Sequence, residues 1–248
     1  MGDGPAWWPA EVIDHDRACE DVAVLMVRVT LRRGATEVAR RQWRWTHVLA
    51  VGGIRAPGGT EAEAAREVCA EYAPETLYNH SMRSYFFAAA WAEARGLDFD
   101  RTLLFVAAML HDLALTPPFD SSTLPFEEAG GHLARVFTAG LGWPAERRDR
   151  AAELIVMHMR PAVSPEVDVE SRLLQVGTSA DVSGSGLEAF DTPFRTALAE
   201  AYPRLGFAAF FVDRFRDQAA RKPGCVAAEL VAGGWSERTL ANPLEGGN

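Results

Sequence analysis

One segment restricts the fold of this chain more than any other. The run RTLLFVAAMLHDLAL follows Asp100, stops at Pro117-Pro118 and is apolar on nearly every side. A helix that is hydrophobic all round belongs in the interior, so this one is expected to be central and to carry His111 and Asp112 into the core. An unpaired buried carboxylate is costly and needs a cation or strong donors. Imidazole and carboxylate are also suitable ligands for zinc, manganese, iron or nickel. Neighbours on a helix point about 100° apart, and both side chains can still reach one ion between their directions. The competing explanation is a structural pair, with Asp112 held by backbone donors or an arginine, because adjacent His-Asp is a short motif.

The surrounding sequence reads as all-α. Thr60 and Glu63 match a capping box, and the helix they open should run through Glu71 and stop before Pro74. A second helix is expected from about Leu77 to Gly96. After the central helix come the polar loop at 117–126, then helices from about Glu127 to Ala139 and from Pro144, suited to a first-turn position, to about Met159. Another should run from Val169 to Val182, stopped by the GSG at 184–186, and two more over 192–202 and 206–220. The first residues differ. Val22–Leu31 is β-rich, and a turn at Arg33-Gly34 returns it into Glu37–Trp45, so a small hairpin is expected there, followed by a linker or loop over 51–59. The chain thus divides into an extension at 1–59, a helical body at 60–223 and a tail at 224–248 of unassigned docking.

Composition narrows the function. With 48% hydrophobic residues, seven Trp and thirteen Phe in 248 residues, the chain can fill a substantial core. A formal charge of -9 argues against nucleic-acid binding. The basic cluster Arg147, Arg148 and Arg150 is flanked by Glu146 and Asp149 and reads as a solvated helix face. Cys19, Cys69 and Cys225 are too far apart for a disulfide framework or a cysteine-rich zinc knuckle. No signal peptide or membrane span is visible, so a cytoplasmic protein with no membrane partner is expected.

Four of the six histidines, His80, His111, His132 and His158, fall on different expected helices, and Asp181 lies near the end of the sixth. The order His80, His111-Asp112, Asp181 resembles the H…HD…D pattern of the HD-domain superfamily of metal-dependent hydrolases, over roughly residues 75–185. That resemblance implies an all-α HD-domain helical bundle. It also implies a divalent ion, most readily Zn²⁺ with Mn²⁺, Fe²⁺ or Ni²⁺ as alternatives, held by His80, His111, Asp112 and Asp181. His132 and His158 resemble the intervening histidines of those HD proteins that hold a second metal or bind substrate.

The blocks LYNHSMRSY at 77–85, HDLALT at 111–116, FEEAGGHLARVF at 126–137, LIVMHM at 154–159 and LLQVGTSADVSG at 173–184 are similar, in order, to cyanamide hydratase-like HD proteins. This implies a metal-dependent hydratase or hydrolase acting on a small nitrile-like or other C–N substrate. Asp181, His132 and His158 are its candidate catalytic residues, a histidine being the proton donor because imidazole titrates near neutrality. Asn79, Arg83, Phe119 and Phe126 are candidates for substrate binding. Many HD phosphohydrolases carry Lys in an HDxxK arrangement, where this chain has Leu115. Lysine is a natural phosphate partner, so phosphohydrolase activity on a nucleotide or phosphate ester ranks as the alternative, and a non-enzymatic metal-containing binding protein as the third. The N-terminal extension is open to two roles, shaping access to the site or forming a homo-oligomer contact.

Overall fold

The apolar helix is as central as its composition requires. In the computed structural model, which describes residues 49–246, every residue from Leu103 to Leu110 is buried. The hairpin expected at 22–45, with His15, His47 and Cys19, lies outside the described residues. Overlapping the start of the expected linker, two residues pair with two: β1 (Ala50–Val51) is antiparallel to β2 (Ile54–Arg55).

The rest is a mostly helical bundle. It comprises α1 (Thr60–Tyr72), α2 (Glu75–Glu93), α3 (Arg101–Leu110), α4 (Phe126–Gly140), α5 (Ala145–Met157) and α6 (Val169–Ser183). These are followed by α7 (Thr192–Ala201), α8 (Phe207–Arg221), α9 (Val226–Ala232) and α10 (Trp235–Leu240). Helix α3 packs against α1, α2, α5 and α6, and α2 lies along α6. None of these helices is long and apolar enough to cross a membrane.

Local chemistry explains the boundaries. Asp100 caps α3 by accepting from the Leu103 N–H at 2.9 Å, and Asp168 and Asp191 cap α6 and α7 in the same way. Three expectations need correction. Thr60 is the first helical residue, not the cap; Gly59 holds the cap position and no side chain bonds there, so the capping box does not form. Pro144 likewise sits at the cap position of α5, one residue before the helix proper. The central helix does not run through to Leu115. It ends at Leu110, Asp112 leaves helical geometry at φ -108 and ψ 4, and Leu113–Leu115 form a separate 3-10 turn.

The tail is folded as well as docked. Trp235 stacks on Phe215 with ring centroids 4.3 Å apart. Asn242 Nδ2 donates to the carbonyls of Asp181 and Val182 at 2.8 and 3.1 Å. The tail is thereby pinned to the end of α6.

Candidate metal centre

Two close helix approaches set the site. A Cβ on Gly177 of α6 would stand 2.0 Å from the Ser84 carbonyl oxygen of α2, so only glycine lets these helices approach so near. One turn further along each helix lie Asp181 and His80, which the approach brings together. On another side, a Cβ on Gly130 of α4 would meet the His111 carbonyl at 3.1 Å and Ile155 at 3.2 Å. Gly130 thus lets α4 approach closely the backbone that carries His111 and Asp112.

The histidines share one orientation. His80 Nδ1 is 2.7 Å from Asp181 Oδ2, His111 Nδ1 is 2.8 Å from the Ala108 carbonyl, and His158 Nδ1 contacts the Ile155 carbonyl. These oxygens only accept, so each ring places a proton on Nδ1 and turns Nε2 toward a common point. His80 Nε2 and His111 Nε2 are 3.2 Å apart. Asp112 Oδ2 lies 3.2 Å from the first and 3.1 Å from the second. His158 Nε2 is 3.9 Å from Asp112 Oδ1. Two bare nitrogens and a carboxylate at these distances repel one another unless positive charge lies among them. Both Asp112 oxygens are buried with no hydrogen-bond partner among the described residues, a costly arrangement that a cation relieves. His80, His111 and Asp112 thus form a buried cluster capable of coordinating a divalent metal ion; the structural-pair explanation, which needs donors on Asp112, lacks them.

The same electrostatics sets the proton affinities. Burial opposes charge on His80, but the adjacent Asp112 and Asp181 carboxylates outweigh it and raise its pKa. Burial would lift Asp112, yet the neighbouring His111 and His80 outweigh it and hold its carboxyl well below the usual range. Burial, reinforced by the neighbouring His111, pushes His158 down to about 4. A proton or a metal ion can each supply the positive charge that His80 Nε2 faces, so the two compete there.

Asp181 stands on the opposite side of the His80 ring, outside the cluster. Its Oδ1 accepts from Arg83 Nε at 2.6 Å and Arg204 Nη1 at 2.9 Å. Its Oδ2 accepts from Arg83 Nη2 at 2.9 Å as well as from His80. Against the cost of burial, the two arginines keep this carboxyl ionised. Arg204 in turn bonds Glu245 of the tail.

The other anticipated residues are dispersed. Arg83 gives its remaining bonds to the Tyr202 and Pro203 carbonyls. Asn79 lies inside α2, its amide donated to Pro203 at 2.9 Å. Phe119 packs edge-on against Tyr72. Phe126 backs His158, with centroids 5.9 Å apart. His132 is half-buried on α4, and Glu128, one turn before it, pairs with Arg160 at 3.6 Å. None of these five lines the cavity of about 210 Å³ that abuts the cluster.

That cavity is bounded by His80, His111, Asp112 and His158 at the metal end. Its apolar walls come from Met159, Val182, Phe211, Phe215, Leu230 and Trp235, with Thr178, Ser179, Ser183 and Arg160 adding polar groups. Sequence reasoning misses the aromatic walls. The signal that could reveal them is Phe207, Phe211 and Phe215, four residues apart on one helix face. Leu115 is buried in its 3-10 turn, so an apolar residue suits the position where other HD proteins have lysine.

This helical frame, with a histidine, a His-Asp pair and an aspartate delivered by α2, the end of α3 and α6, defines an HD-type metal site. Residues 77–181 match the HD domain family. Among characterised relatives it is similar to the cyanamide hydratases DDI2 and DDI3 of Saccharomyces cerevisiae. Each is 28% identical over 172 residues, a stretch covering 67% of this chain and 76% of the yeast protein.

Proposed function

We propose that the protein is a metal-dependent hydratase or hydrolase that adds water to a small neutral C–N substrate of the nitrile type. The observation that carries this reading is the convergence of His80 Nε2, His111 Nε2 and the partnerless Asp112 carboxylate at one end of a cavity with mainly apolar walls. The similarity to two cyanamide hydratases supports it. Three side-chain donors are the number catalytic zinc sites use, so zinc is the ion proposed. When bound there, it lowers the pKa of a water to roughly 7 and makes hydroxide available at neutral pH.

The chain's own residues supply the remainder. His158 is neutral at physiological pH and directs Nε2 at the cluster, so it takes the proton of the attacking water and then, as imidazolium, donates it to the nitrogen that gains charge. Asp181 acts as a positioning residue that fixes the His80 tautomer. Thr178 and Ser183 already donate their hydroxyl protons to the carbonyls of Leu174 and Ser179, which leaves lone pairs to accept from substrate N–H groups. Phosphate chemistry is disfavoured by charge. Arg83 is committed to Asp181, and the cation lining the cavity, Arg160, already faces Glu128.

The test is an assay of the zinc-loaded protein against cyanamide and simple organic nitriles, beside a panel of nucleotides and phosphate esters. Formation of urea or amide without release of inorganic phosphate is expected. Robust phosphate release with no hydration would replace this reading with the phosphohydrolase one.

A further inference from the structure

The cavity is larger and more apolar than a minimal nitrile needs. Its volume of about 210 Å³ would hold about seven waters at roughly 30 Å³ each. Cyanamide, with only three non-hydrogen atoms, would leave most of that space unfilled. The polar groups gather at the metal end and along α6, whereas the other side is built from carbon. Phe211, Phe215 and Trp235 are each less than a tenth exposed and packed on one another, with Trp235 to Phe211 at 5.9 Å and Phe211 to Phe215 at 4.7 Å. A wall so tightly packed is preformed. Leaving it against water costs free energy in proportion to its apolar area.

From this wall, and resting on the reading proposed above, we infer that the substrate has a neutral polar C–N head and a hydrophobic body of several carbons. The head lies at the metal cluster. The body lies between the aromatic face of α8 and the tail, whose Leu230 and Trp235 complete the wall. Charge agrees with a neutral body. Beyond the metal end, the ionisable group lining the cavity is Arg160, and Glu128 already faces it. Specificity is therefore assigned to residues that lie outside the HD-matched segment: Phe211, Phe215, Leu230 and Trp235 all follow residue 181.

The test uses hydroxamates, which chelate metals through a constant head and carry a variable alkyl arm. Acetohydroxamate, butanohydroxamate, hexanohydroxamate and octanohydroxamate are titrated calorimetrically into the zinc-loaded full chain. Affinity is expected to rise about fourfold for each methylene buried, levelling once the cavity is full. Trp235→Ala, and separately the milder Leu230→Ser at a half-buried position, should each reduce the ratio of hexanohydroxamate to acetohydroxamate affinity by at least the worth of one methylene. A flat series with acetohydroxamate still bound overturns the inference and leaves the metal site standing. A steep series that neither variant alters overturns the assignment of the wall. Failure of every hydroxamate to bind overturns the metal site and this inference with it.

Discussion

Which nitrogen of each histidine is already engaged decides what the site can do. Asp181, Ala108 and Ile155 take the Nδ1 protons of His80, His111 and His158, and the Nε2 atoms are left to face Asp112. Because His80 has a raised pKa, a metal ion arriving at its Nε2 must displace a proton below that pKa. Affinity should therefore increase as pH rises through it. His158, at about 4, is already neutral near pH 7, and Asp112 and Asp181 are already ionised, so none of these adds to the linkage near neutrality. Titrating zinc at a series of pH values should show tighter binding and fewer protons released as pH rises through that pKa; an affinity independent of pH would contradict a protonated His80 in the metal-free site. Asp112 is legible in the sequence because an acid in such an apolar run needs an explanation. The orientation of Asp181 is not, since spacing puts it near His80 without saying which ring nitrogen it faces. Arg83 and Arg204, which decide that, are far from it in the chain.

Among the elements, the α2–α6 contact matters most to the site. Gly177 and Ser84 touch one turn away from Asp181 and His80, so helix separation and histidine orientation are set together. Gly177→Ala forces backbone apart. It should cost roughly 1–3 kcal/mol in denaturant unfolding, the usual price of overpacking, and weaken zinc binding; an unchanged midpoint would show that the helices tolerate wider spacing. The helices themselves were largely readable from apolar periodicity and from their Asp, Gly and Pro boundaries. The break after Leu110 was not. Continued apolarity through Leu115 matches a longer helix, and what ends it is the His111 ring bonding the Ala108 carbonyl and Thr116 Oγ1 bonding Leu113. Such local bonds compete with helix continuation without changing the hydrophobic pattern.

Across the whole molecule, a metal cluster from the HD segment meets a wall from the last quarter of the chain. The docking of that tail escapes sequence reasoning because α9 and α10 have only seven and six residues, too short to hold as helices alone. They depend on Trp235 against Phe215 and Asn242 on the end of α6. The bundle and the cluster were legible; the enclosure of the cavity required tertiary contacts. We propose that His80, His111 and Asp112 bind one catalytic ion, which elemental analysis of the purified protein would detect. About one equivalent of divalent metal per chain is expected, falling below a tenth in correctly folded His111→Ala and Asp112→Ala. Full occupancy in both variants would contradict this ligand set.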